Sequence, residues 1–228
     1  KENRLDAREK AVNAEISALG KIKSKISDFQ NVIEELRSGS NLNSREPSIT
    51  NPSEDDDVLS ADASKSALRG SYDIVVKQLA SGSRITTDTA AFSSSSDTLI
   101  SSGTGSLTFS VGSDSFTINV DSTTTLTDLR ELINNSEENF GVTANIIETG
   151  TGDGPRLVML SDKEGAGNDL VINNDTGNAE LDRLSTAGGT DSISAANIQA
   201  ARNAVADVDG IEVQSASNEF ENTIQNVS

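Results

Sequence analysis

An α+β fold, mainly β, is predicted by three observations: a seven-residue apolar repeat confined to residues 5–36, alternating apolar runs through the rest of the chain, and glycine-containing turn signals between those runs. The repeat comes first. Leu5, Val12, Leu19, Ile26 and Ile33 form one row, and Ile22, Phe29 and Leu36 continue a second row three residues on. The second row begins with the polar Arg8 and Glu15, so the seam is expected to be dry from about Val12 onward, with Ile16 widening it. A helix over this stretch is roughly 48 Å long, at about 1.5 Å per residue, and is too long to be held by its own propensity in water. The pattern suits a coiled-coil or bundle stalk, or a long amphipathic helix packed inside one domain. Either way it needs company.

Residues 38–57 contain Gly39, Pro47, Pro52 and the acidic run Glu54 to Asp57, and have no apolar period. A strand is predicted over residues 71–79, with Tyr72, Ile74 and Val76 alternating onto one face. The serine-rich stretch at 93–105 marks a boundary. Beyond it Leu107, Phe109 and Val111 alternate up to Gly112-Ser113-Asp114, and Phe116, Ile118 and Val120 alternate back, which predicts a hairpin. Thr125 with Asp128 forms a capping box for a short helix carrying Leu126, Leu129 and Ile133 on one face. Strands are predicted over residues 142–147 and 156–160, around the glycine-rich turn at 150–154, and a short one over 170–172. Gly188-Gly189-Thr190 marks a further boundary, and residues 204–213 form a hairpin about Asp209-Gly210.

Residues 58–92 contain no complete strand set, so this late hairpin is expected to complete the early sheet. The domain reading is therefore a helical leg at 1–42, a linker at 43–57, an outer β head domain from 58–92 and 178–228, and an inserted β-rich domain with one short helix at 93–177.

Composition narrows the chemistry. Of 228 residues, 36 are Asp or Glu and 18 are Lys or Arg, and the net charge of -18 repels nucleic acid and anionic membranes. With no Cys and no His, the chain lacks a thiolate nucleophile, a Ser/His/Asp triad and the usual zinc ligands. No apolar run is long enough to span a bilayer. With no Trp, one Tyr and six Phe, the core must be built from aliphatic side chains, which suits several small cores. Gly103-Thr104-Gly105 and Gly165-Ala166-Gly167 look superficially like phosphate loops but lack the full motif spacing, so they are read as turns. The run Glu54 to Asp57 lacks the spaced ligands of a calcium loop and is read as solvated charge. Carboxylates such as Asp128, Glu131 and Asp182 are numerous enough to form chance pairs, which leaves a carboxylate-based glycan hydrolase as one competing reading. No cofactor, metal or catalytic residue is assigned.

Four stretches together resemble the bacterial flagellar filament-cap family, also called the second hook-associated proteins. They are Ala14 to Phe29; Gly70 to Ala80; Leu107 to Val120 followed by Thr125 to Asn134, Gly141 to Ala144 and Arg156 to Ser161; and Ala201 to Val213 with Ser217-Asn218 and Ile224 to Ser228. No single stretch is specific, and their order carries the resemblance. It implies a non-enzymatic head of two β domains on a helical leg, assembled with identical subunits as a ring at the filament tip, where flagellin is held for insertion. Flagellin, an export chaperone and other hook-associated proteins are the partners it implies, with secretion by the flagellar type III route. Leu5, Val12, Ile16, Leu19, Ile22, Ile26, Phe29, Ile33 and Leu36 would then serve helix packing and self-assembly. The family extends beyond this chain at both ends, and the chain opens on Lys1, so a fragment lacking both native termini is expected. In the family a second long helix packs on the first.

A surface adhesin for host glycan or mucin is the alternative, since Ser/Thr-rich β modules on a stalk suit that task too. For the ring reading, the net charge of -18 predicts salt-dependent assembly.

Overall fold

The structure is a computed structural model that describes residues 2–38, 45–52, 58–187 and 191–228; within the first segment, side chains are described at 8, 10, 12, 13 and 15–34. The acidic run Glu54 to Asp57 and the boundary Gly188 to Thr190 lie outside the described residues, as do both ends of the expected linker and the last residues of the expected leg. The chain forms two compact units, Lys1–Arg69 with Glu221–Ser228, and Gly70–Phe220.

In the first unit, the apolar repeat lies on one 37-residue helix, α1 (Glu2–Ser38). Gly20 lies within it, and a side chain there would meet open space. The rest of this unit is tied by a short antiparallel contact. Asp62 and Ser228 exchange backbone hydrogen bonds at 2.7 and 3.0 Å, and the Ser64 amide donates to the Asn226 carbonyl at 2.9 Å.

The second unit is antiparallel throughout its named strand pairs. Its elements are β1 (Ile74–Gln78), β2 (Arg84–Thr86), β3 (Thr104–Val111), β4 (Asp114–Asp121), α2 (Leu126–Asn135), β5 (Val142–Glu148), β6 (Pro155–Ser161), β7 (Val171–Asn174), β8 (Ile198–Gln199), β9 (Ala204–Val208) and β10 (Ile211–Ser215). They form three sheets, ordered β1-β9-β10, β5-β6-β2-β8 and β4-β3-β7.

The predicted hairpin is β3–β4, in a register that sets Leu107 against Ile118 and Phe109 against Phe116. The two rings stack with centroids 5.0 Å apart, and Phe140 meets Phe116 edge-on at 5.5 Å. Gly112 at φ +59 opens the two-residue turn, as the right-handed twist of a hairpin requires. The capping box also forms. The Asp128 amide donates to Thr125 Oγ1 at 3.1 Å, and the Thr125 amide donates to the Asp128 carboxylate at 2.9 Å. This capped helix lays Leu126, Leu129 and Ile133, all fully buried, into one core with the inward residues of β3, β4, β5 and β6. Gly105 is small for a reason: a Cβ there would lie 2.5 Å from Leu181 Cδ1.

The late hairpin is β9–β10. Asp209 and Gly210 both have positive φ, at 52 and 84, and β9 pairs with β1 as expected. The burial of β1 differs from expectation. Tyr72, Ile74 and Val76 do not form a buried face, because Ile74, Val75 and Val76 are all exposed. The central strand β9 buries only its small Ala204 and Ala206, so the edge strand leaves its larger side chains in solvent.

Strands β2 and β8 are short. β2 pairs with β6 through Ile85↔Met159 and with β8 through Ile85↔Ile198, so one sheet joins strands far apart in the sequence. Between the β1-β9-β10 sheet and this one, Ser81 and Arg202 exchange backbone hydrogen bonds at 3.0 and 2.9 Å. Gly82 beside this pair would drive a Cβ to 1.8 Å from the Ser161 carbonyl oxygen.

Candidate assembly surface

The face of α1 that carries the repeat is exposed. Among the residues singled out from sequence, Val12, Ile16, Leu19, Ile22, Ile26, Phe29 and Ile33 range from 44% exposed at Ile33 to 65% at Phe29. The side chains of Leu5 and Leu36 lie outside those described. Ile22, Ile26 and Phe29 line one shallow groove, flanked by Lys21 and Lys25. Lys25 makes an exposed ion pair with Asp28 at 3.1 Å, an arrangement worth little in solvent. Val32, 51% exposed, extends the apolar surface, and the heptad rows alone did not single it out. A helix with eight large apolar side chains in water is in a state that further burial would improve, since fully covering such a side chain is worth about 1.5–3 kcal/mol.

A second exposed apolar surface lies on β1-β9-β10, where Leu79 and Ile211 are 61% and 67% exposed. Lys77 is tied across that sheet to Glu212 at 3.1 Å and to Asp207 at 3.4 Å. The hydrogen bond to Glu212 is the main cause that raises the Lys77 pKa; desolvation opposes it, and the charge of Glu212 and the contact with Asp207 add to the rise.

The acids weighed for catalysis occupy structural positions. Asp128 caps α2, Glu131 pairs with Arg130 at 2.7 Å, and Asp182 accepts from Asn174 Nδ2 at 2.9 Å. Among the described residues no group of three or more acids could hold a metal ion, and no helix is long and apolar enough to cross a membrane. Gly103, Gly165 and Gly167 sit at positive φ, as turn glycines do.

The side chain that sequence reasoning missed is Arg183, in a 3-10 helix at Ala179–Leu184. Its guanidinium lies 4.2 Å from the Phe92 ring centroid. It donates to the carbonyls of Ala91 at 2.9 Å, Thr98 at 3.2 Å and Leu99 at 2.9 Å. Burial lowers its pKa, opposed by the charges of Glu180 and Asp97. Arg183 thereby pins the loop that carries Phe92, Leu99 and Ile100 into the core. Its partners lie more than 80 residues away, so no local pattern announces it.

Comparison with known proteins gives this geometry a family. Residues 1–83 match the model described as flagellar hook-associated protein 2 N-terminus, and residues 106–163 match the flagellin hook IN motif. Flagellar hook-associated protein 2 of Aeromonas caviae is 34% identical over 212 residues, covering 93% of this chain and 43% of that protein. The crystal structure of FliD (HAP2) from Pseudomonas aeruginosa PAO1 is 31% identical with a TM-score of 0.58, covering 74% of this chain and 75% of that one. The D2-D3 domains of the flagellar cap protein FliD from Escherichia coli superpose with a TM-score of 0.59 at 26% identity, covering 74% and 84%. The chain spans about half the length of the curated relatives it matches. It belongs to the flagellar hook-associated protein 2 family, the flagellar cap proteins.

Proposed function

We propose that this chain is part of the cap at the distal tip of a bacterial flagellar filament, where identical copies assemble into a ring and promote flagellin polymerisation. The observation that carries the reading is the exposed apolar stripe of α1, in a chain whose relatives are cap proteins. Such a stripe is stabilised by another helix, and Leu5, Val12, Ile16, Leu19, Ile22, Ile26, Phe29, Ile33 and Leu36 form the packing surface in coiled-coil fashion. Work of this kind depends on extended complementary surfaces and needs no residue with a catalytically tuned pKa. Flagellin, an export chaperone and neighbouring hook-associated proteins are the partners of this reading, and export by the flagellar type III route is its path to the tip.

The head is read as nested: an outer β domain from 58–92 and 178–228 that holds an inserted domain at 93–177, with Ser81 and Arg202 as the neck nearest the β1-β9-β10 sheet. The test is genetic. Deleting the gene abolishes filament growth, and restoring it with L19D/I26D gives few or short filaments. Normal filaments in the deletion strain would refute the reading.

A further inference from the structure

The chain is strongly acidic, at -18, yet one concave surface has the opposite character. On the outer face of β5-β6-β2-β8 a cavity of about 420 Å³ is lined by Arg84, Arg156, Ile147, Val158 and Gln199 among others, and by no carboxylate. Ile147, opposite Arg156, and Leu160, opposite Arg84, are 47% and 43% exposed. Arg156 is held in place by donating from Nε and Nη2 to the Thr87 carbonyl at 2.8 and 2.6 Å. Arg84 has no ion pair or hydrogen-bond partner among the described residues. Asp88, close enough to Arg156 for their charges to interact, is occupied with the cavity wall: it accepts from the Ser194 amide at 3.1 Å, from Ser194 Oγ at 2.6 Å and from Asn197 Nδ2. The wall is therefore built, and among the described residues one guanidinium, that of Arg84, has no counter-charge.

The complementary surface lies elsewhere on the same unit. A cavity of about 720 Å³ between β4 and α2 is lined by Asp121, Asp128 and Glu131. Hydrogen bonds from Thr123 and Thr124 to Asp121, and from Thr125 to Asp128, hold both carboxyls below their ordinary 3.8. Of these three acids, Glu131 alone has a basic partner among the described residues, the half-buried Arg130. Two different, oppositely charged patches on one molecule favour a heterologous contact, the kind that closes into a ring or runs on as a filament.

We propose that the arginine-bearing face of β5-β6-β2-β8 docks the carboxylate-lined β4–α2 surface of a second copy of this chain. The proposal rests on the self-assembly reading above and supplies a contact made by the heads, separate from α1. Guanidinium groups suit it, because they pair with carboxylates through two hydrogen bonds and are weakly hydrated. The salt dependence it implies is opposite in sign to that of whole-molecule repulsion: added salt weakens this contact.

The experiment is sedimentation velocity over a concentration series, on the chain itself and in an L19D/I26D background that removes the apolar stripe of α1. R84E and E131R are each expected to weaken head association at least 10-fold, and the double variant R84E/E131R restores it by exchanging the two charges. R84Q, with its milder change, is expected to weaken association several-fold, and carries the test if R84E lowers the melting temperature. Association unchanged in R84E or R84Q, or a double variant no stronger than the single ones, would overturn the proposal and leave the self-assembly reading standing. A chain that associates only when the α1 stripe is intact also overturns this proposal alone. A chain that stays monomeric in both backgrounds removes both.

Discussion

Two helices in this molecule carry apolar stripes, and their fates differ. In α2, ten residues long, Leu126, Leu129 and Ile133 are fully buried in the core, with the helix packed on β5 and β4. In α1, 37 residues long, the described seam residues are roughly half exposed. The short helix has a cap and a core, so its stripe is used up in folding. The long helix has no side chain of the described seam in a core, so its stripe is available for association. An apolar stripe thus reports a requirement for burial, and exposure in the folded chain tells whether folding has met it.

The comparison can be broken by truncation. Ile133→Ala is expected to cost about 2–5 kcal/mol, read as a lower midpoint in urea, because it leaves a cavity between α2 and the sheet. Ile26→Ala is expected to change the same midpoint by no more than about 0.5 kcal/mol. Equal costs at the two sites would show that α1 is packed as tightly as α2.

Arg183→Met sharpens the picture of the core that α2 joins. It removes donors to three carbonyls and a cation over Phe92, and a loss of about 2 kcal/mol in chemical denaturation is expected. Thr125→Ala removes the cap that sets where α2 starts, with an expected loss of about 1 kcal/mol. Neither change should alter association through α1.

Acid has a direction that can be worked out. Asp97, Asp121 and Asp128 sit below their ordinary 3.8 and Glu180 below its ordinary 4.5, chiefly through hydrogen bonds from Ser93, Thr123, Thr125 and Ser101 respectively. At Asp88, burial pushes the pKa up, and hydrogen bonds from Ser194 and Asn197 together overcome it. A folded pKa below the unfolded one gives stability that is present above the unfolded value and is lost as pH falls through the folded value. The head is therefore expected to keep its stability down to about pH 4 and to lose it below, as followed by thermal melts across pH 2–6. A melting temperature that rises on acidification over that window would contradict these assignments.

What was legible in the sequence was local. The hairpin from Leu107 to Val120, the Thr125–Asp128 box and the Asp209-Gly210 turn are each set by residues within a few positions of one another, and each stands where it was expected. What was hidden depends on distant partners. β2 is three residues long and is a strand only because Ile85 lies between Met159 and Ile198. Arg183 looks like a surface cation until Ala91, Thr98 and Leu99 are brought to it. The alternation Tyr72, Ile74, Val76 that leads into β1 shows the converse: it marks a face, but does not say whether anything covers it. The heptad rows of α1 were plain in the sequence, whereas the meeting of Arg84 and Arg156 in one cavity needed the sheet to be assembled.

The central claim is that the α1 stripe joins molecules together, and molar mass in solution tests it most directly. Light scattering on the chain over a concentration series is expected to give masses above the 23.9 kDa of one copy, and lower masses for L19D/I26D at every concentration. Equal masses for the two proteins, with the head folded in both, would contradict it.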